Sequence, residues 1–121
     1  MNQIQPLKIF PGELIDRLTI LSLKIRYGAF KGQDIQHWLD EHTALLYEIK
    51  AMAINIPVAS VMSLWDDLAE VNHKLWRVED NTRAGQPILH SVALAHNDRR
   101  IELIRKINAV FNVVSPPEKV T

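Results

Sequence analysis

Three features of this sequence predict an all-α fold, an antiparallel four-helix bundle. Apolar residues recur at three- and four-residue intervals through four segments. Short breakers separate those segments. No stretch of useful length alternates apolar and polar residues in the period of a strand. Long helices joined by short loops favour antiparallel neighbours, and the whole chain, residues 1–121, reads as a single domain.

The first helix is expected over roughly residues 12–27. Pro11 suits its start, and Glu13 lies in a first turn where the helix dipole favours an acid. Leu14, Leu18, Leu21 and Ile25 form one apolar stripe; Ile20, Leu23 and Tyr27 form a second, nearly opposite, with Asp16 in line with it. A helix apolar on two sides is covered on two sides. The second helix is expected over 34–56, with Asp34 as N-cap and Ile35, Trp38, His42, Leu45, Ile49, Met52 and Ile56 as a three-heptad seam. Pro57 breaks it.

The third helix spans 58–83, with Leu64, Leu68, Val71, Leu75 and Val78 as its core stripe. Ala84, Gly85, Gln86 and Pro87 then turn the chain. The fourth runs over 88–113, and Ser115, Pro116 and Pro117 in the tail (114–121) end it. Its Ala93, Ile104, Ile107 and Phe111 share one side, and Arg100 stands in the middle of that side with Asn97 next to it. A charge aimed at a core must be paired or it costs several kcal/mol. The N-terminal residues 7–10, LKIF, suit a short extended or capping segment.

Composition bounds the function. Fourteen basic and fourteen acidic side chains give a formal net charge of zero, so nothing attracts a polyanion over long range and nucleic-acid binding is not expected. No cysteine is present, which excludes disulfides, thiolate metal sites and a thiol nucleophile. The N-terminus lacks the basic-then-apolar pattern of a secretion signal, and no apolar run is long enough to span a bilayer. The expectation is a cytoplasmic protein without a membrane partner.

Chemistry-bearing residues gather in three segments. In residues 12–24, Glu13 and Asp16 lie about 60° apart around a helix and suit a hard cation such as Mg²⁺. The alternative is that Glu13 starts the helix and pairs with Arg17, while Asp16 satisfies a buried arginine. In residues 71–83, Asn72, Trp76, Glu79 and Arg83, with Trp65 before them, line one edge. That edge reads either as a polar ligand groove or as a boundary stripe with a Glu79–Arg83 pair. In residues 96–108, Asn97, Arg100 and Asn108 fall on or beside the core face. Asp98, Arg99, Glu102, Arg105 and Lys106 fall on the other side. The five histidines have no metal-ligand spacing, and His42 in the helix-two seam reads as a hydrogen-bonded core residue. No phosphate loop or nucleophile elbow is present.

The same three segments resemble an uncharacterised bacterial family of small helical proteins. Its opening motif matches Gly12-Glu13-Leu14-Ile15-Asp16-Arg17-Leu18-Thr19-Ile20-Leu21 with Lys24. Its central motif matches Val71-Asn72-His73-Lys74-Leu75-Trp76-Arg77-Val78-Glu79-Asp80 with Arg83. Its late motif matches Asn97-Asp98-Arg99-Arg100-Ile101-Glu102-Leu103 with Ile107-Asn108. Thr82, Ile104 and Lys106 depart from the pattern. The resemblance implies no established activity, but its motifs include five polar residues that helical geometry turns toward the core: Asp16, Asn72, Glu79, Asn97 and Arg100.

The function expected is that of a non-enzymatic module that binds a partner or self-associates, with that cluster as core network or recognition site. A symmetric homodimer through Ile20, Leu23 and Tyr27 is expected from the second stripe of helix one. One alternative is a binder of a phosphorylated sugar or nucleotide. Lys24, Arg83 and Arg100 would hold that small anionic ligand and Trp76 would form a wall, with Asp16, Asn72, Glu79 and Asn97 nearby. The other is a metal-dependent phosphohydrolase holding Mg²⁺ between Glu13, Asp16 and Glu79.

Overall fold

The structure, a computed structural model, describes residues 10–54, 56–85 and 90–114. Among the described residues four helices form an antiparallel bundle: α1 (Pro11–Phe30), α2 (Gln36–Met52), α3 (Val58–Arg83) and α4 (His90–Val114). Residues 7–9, the start of the expected fourth helix at 88–89 and most of the tail lie outside the described residues. Phe10 is exposed and precedes α1 as its N-cap residue.

α1 is the hub. It packs against each of the other three helices, whereas α2 rests chiefly on α1. This arrangement accounts for the two apolar sides of α1. Leu14, Ile15 and Leu18 lie in the common core with Leu68 of α3 and with Leu103 and Ile107 of α4, all essentially without exposure. Fully burying each such side chain contributes about 1.5–3 kcal/mol. Most of the second stripe is covered from within. Leu23 is buried, and Tyr27 stacks on Trp76 of α3, ring centroids 5.4 Å apart. Leu23 and Tyr27 of the stripe expected to form a dimer are therefore covered inside the chain, whereas Ile20 is half-buried and lines a surface groove.

Helix ends shift where local chemistry shifts them. α1 continues past residue 27 to Phe30, and Gly28 within it lies under Trp38, where a Cβ would come within 2.7 Å of the indole. The chain reverses at Gly32, whose φ of +73° suits glycine. Asp34 is not the N-cap of α2: Ile35 is, and Asp34 one residue earlier accepts the Gln36 N–H at 3.0 Å in a local turn, so that α2 starts at Gln36 rather than residue 34. It ends at Met52 rather than 56, with Ala53 as its C-cap, four residues before Pro57. α3 has the expected bounds, and Gly85 (φ +80°) turns the chain after it.

Two core expectations are corrected. On α4 Ile107 and Phe111 are buried as expected, Leu103 is buried as well, and Ile104 is half-buried, packed against the core beside Gly12. On α2 only Leu45 and Ile49 are buried, because one neighbouring helix covers one face. Trp38, His42 and Met52 stay half-exposed, and His42 meets the Ser22 hydroxyl at 3.2 Å.

Candidate functional site

Asp16 lies at the crossing of α1, α3 and α4, 6% exposed. A carboxylate there must be fully bonded or it destabilises the fold. Arg100 of α4 grips it with two charge-assisted bonds: Nε donates to Oδ1 at 2.9 Å and Nη2 to Oδ2 at 2.6 Å. Asn72 of α3 donates to the same Oδ1 at 2.8 Å. The other hydrogen of that amide nitrogen goes to the Thr19 hydroxyl oxygen at 2.7 Å, and the Thr19 hydroxyl donates to the Asp16 carbonyl at 2.7 Å. Four side chains from three helices thus close a small network. The Asp16 hydrogen bond raises the Arg100 guanidinium above its usual value, partial burial opposing it. The cation therefore persists at any pH where the protein is folded.

One turn earlier, a second junction ties α1 to α4. The Gly12 N–H, one of the amides a helix start leaves without an internal acceptor, donates to Asn108 Oδ1 at 2.7 Å. Asn108 Nδ2 donates to Glu13 at 3.1 Å. A Cβ on Gly12 would lie 2.5 Å from the Ile104 carbonyl oxygen, so only glycine permits this approach. Glu13 does not pair with Arg17. Arg17 bonds instead to Glu41 of α2 at 2.6 Å, across a shallow groove of about 320 Å³ that Glu13, Asp16 and Lys24 also line.

The expected cluster is therefore assembled in part. Asp16, Asn72 and Arg100 come together. Asn97 is half-buried and takes no part in the network. Glu79 is a correction: its side chain is 70% exposed and faces Arg83 at 3.8 Å on the outside of α3. The core face of α3 runs through Val61, Leu68, Val71 and Asn72, and Glu79 lies about 10 Å further along the helix than Asn72. Arg83, 75% exposed, lies about 16 Å beyond Asn72 on the same basis. Trp76 is packed under Tyr27 rather than open as a wall, and its buried Nε1 has no hydrogen-bond partner among the described residues. Lys24 lines the 320 Å³ groove, two turns from Asp16.

The proposed metal set does not assemble. Among the described residues no three histidine, aspartate or glutamate side chains converge. Glu79 is turned outward, and the Asp16 carboxylate already accepts three hydrogen bonds.

Sequence reasoning missed Thr19 as a member of the network. Its spacing from Asp16 was a usable signal, since a helical Thr bonds back to the carbonyl three or four residues earlier. It also missed a second groove, about 440 Å³, between α1 and α3. This groove is lined by Thr19, Ser22, Leu23, Arg26, Trp65, Ala69, Glu70 and His73. At its rim the Tyr27 hydroxyl and His73 Nε2 are 2.7 Å apart. Among the described residues, no helix is long and apolar enough to cross a membrane.

Compared with known proteins, the chain matches no family model, no curated protein and no solved structure.

Proposed function

We propose that this protein is a non-enzymatic helical binding module in which the Asp16–Arg100 cluster is a structural clasp. One observation carries this reading: the buried Asp16 carboxylate already accepts three hydrogen bonds, two at Oδ1 from Arg100 and Asn72 and one at Oδ2 from Arg100. A carboxylate so occupied has little capacity left for a cation or a proton transfer. A satisfied polar network of this kind fixes how helices meet, because any other register strands a charge. Residues that carry the resemblance to the small bacterial helical family fall at these helix junctions. Gly12, Asp16, Asn72, Arg100 and Asn108 all occur in its motifs, and all are used at the two helix junctions.

Titration calorimetry with Mg²⁺, with Mn²⁺ and with a nucleoside-diphosphate sugar tests this reading. No saturable heat is expected. Saturable binding that Asp16→Asn abolishes, with the fold retained, overturns it.

Recognition of a phosphorylated sugar or nucleotide is the second reading. It is favoured by the Arg100 side chain being 32% exposed, with Nη1 outside the bonds to Asp16. The nucleoside-diphosphate sugar titration decides it: binding that Arg100→Lys removes supports this reading, and absence of heat rejects it.

A further inference from the structure

We infer that α2 is a strap: it lifts from α1 as a unit while α1, α3 and α4 stay clasped. The inference goes beyond the binding-module reading and does not depend on it. α2 rests chiefly on α1, and of its 17 residues only Leu45 and Ile49 are buried. The side chains sealed most completely, Leu14, Ile15, Leu18, Leu68, Leu103 and Ile107, all belong to the other three helices. Polar contacts divide in the same way. The network of Asp16, Thr19, Asn72 and Arg100 and the Gly12–Asn108 bond join α1 to α3 and α4. Among the described residues, the side-chain hydrogen bonds from α2 to another helix are Arg17–Glu41 at 2.6 Å and Ser22–His42 at 3.2 Å, both in exposed settings. Exposed contacts of this kind add little, because water competes for both partners.

Lifting α2 therefore gives up apolar contact with one helix, whereas parting α1 from α3 and α4 opens the core and strands a buried charge. It also returns conformational freedom to the released residues. The unit has defined ends. Gly32, at φ +73° with open space around the place of a Cβ, turns the chain before α2. Ile56, buried in the core, anchors the chain after it. The strap also builds a surface feature. The 320 Å³ groove is lined by α1 and by Glu41 of α2, so it exists only while α2 is down. Occupancy of that groove and the position of α2 are thus one equilibrium, and a molecule held there would shift it toward the closed form.

Amide hydrogen exchange at several denaturant concentrations below the unfolding transition tests the inference. Amides of residues 42–50 should be protected at least about thirtyfold less than those of Leu18, Leu103 and Ile107, a difference of about 2 kcal/mol. Their opening should also depend less steeply on denaturant, since less surface is exposed. Asn108→Ala separates local from global opening. It removes the acceptor of the Gly12 N–H, a contact that the closed and lifted forms both keep and the unfolded chain loses. Protection of Leu18, Leu103 and Ile107 should fall about fivefold or more, while that of residues 42–50 stays within about twofold. Arg100→Ala is the stronger variant for the same contrast, should the first prove silent in the core. Three results overturn the inference: residues 42–50 protected as well as the core; a denaturant dependence equal to that of the core; or a variant that lowers both sets of amides by the same factor. The metal and nucleotide-sugar titrations are independent of these outcomes.

Discussion

Arg100→Ala is the sharpest perturbation of the clasp. It removes the two guanidinium bonds at 2.9 and 2.6 Å and leaves the Asp16 carboxylate, 6% exposed, held only by the Asn72 amide. Breaking a buried pair by deleting one partner costs about 3–5 kcal/mol. The Arg100 side chain is 32% exposed, so water can enter where it stood and screening lowers the figure to about 2–3 kcal/mol. At this chain length that corresponds to a fall in melting temperature of roughly 8–15 °C. Chemical denaturation of wild type, Arg100→Ala, Asp16→Asn and the double variant gives the coupling energy. It should be at least about 1.5 kcal/mol, with the double variant less damaged than the sum of the singles. A single variant that melts within a degree of wild type, or a coupling below about 0.5 kcal/mol, refutes the reasoning.

Gly12→Ala should destabilise by about 1–2 kcal/mol by denaturant titration, because the steric cost of a Cβ 2.5 Å from the Ile104 carbonyl exceeds alanine's helix-propensity gain of about 1 kcal/mol. Trp76→Phe should change stability by less than about 1 kcal/mol, since it removes a buried N–H without a partner as well as some apolar surface. A loss near 3 kcal/mol contradicts this. Glu79→Ala and Arg83→Ala, at an exposed pair 3.8 Å apart, should each stay within about 0.5 kcal/mol. The stability difference between wild type and Arg100→Ala should be the same at about pH 7 and pH 10. A cation whose folded value is raised contributes fully below the ordinary guanidinium range and loses its contribution only as pH rises through the folded value.

The architecture was legible because periodicity is local. Four runs of three-and-four spacing, with Pro11, Pro57 and Gly85 as punctuation, are enough to place four helices. Arg100 was legible as an anomaly on an apolar face, and Asp16 as a possible answer to it, because an unpaired buried charge is too costly to persist. Which acid answered was not legible. Helical geometry ranks Asp16 and Glu79 alike, and only the crossing of α1 with α3 and α4 places one inside and leaves the other in water. The partition of Leu103 and Ile104 failed for a related reason. The two are 100° apart on the helix, and which of them is sealed in the core depends on the rotation of α4 about its own axis, a tertiary fact. The internal cover of Leu23 and Tyr27 was hidden in the same way, because periodicity shows that a face is covered without showing by what.

The central claim is that the Asp16–Arg100 contact is formed and closed, a clasp rather than an open site. The Arg100 side-chain Nε–H reports on it directly, since it donates to Asp16 Oδ1 at 2.9 Å. Nitrogen-15 NMR at near-neutral pH should show this proton exchanging with water far more slowly than those of the exposed Arg99 and Arg105, with the protection lost in Asp16→Asn. An Arg100 Nε–H that exchanges as fast as its two exposed neighbours contradicts the account.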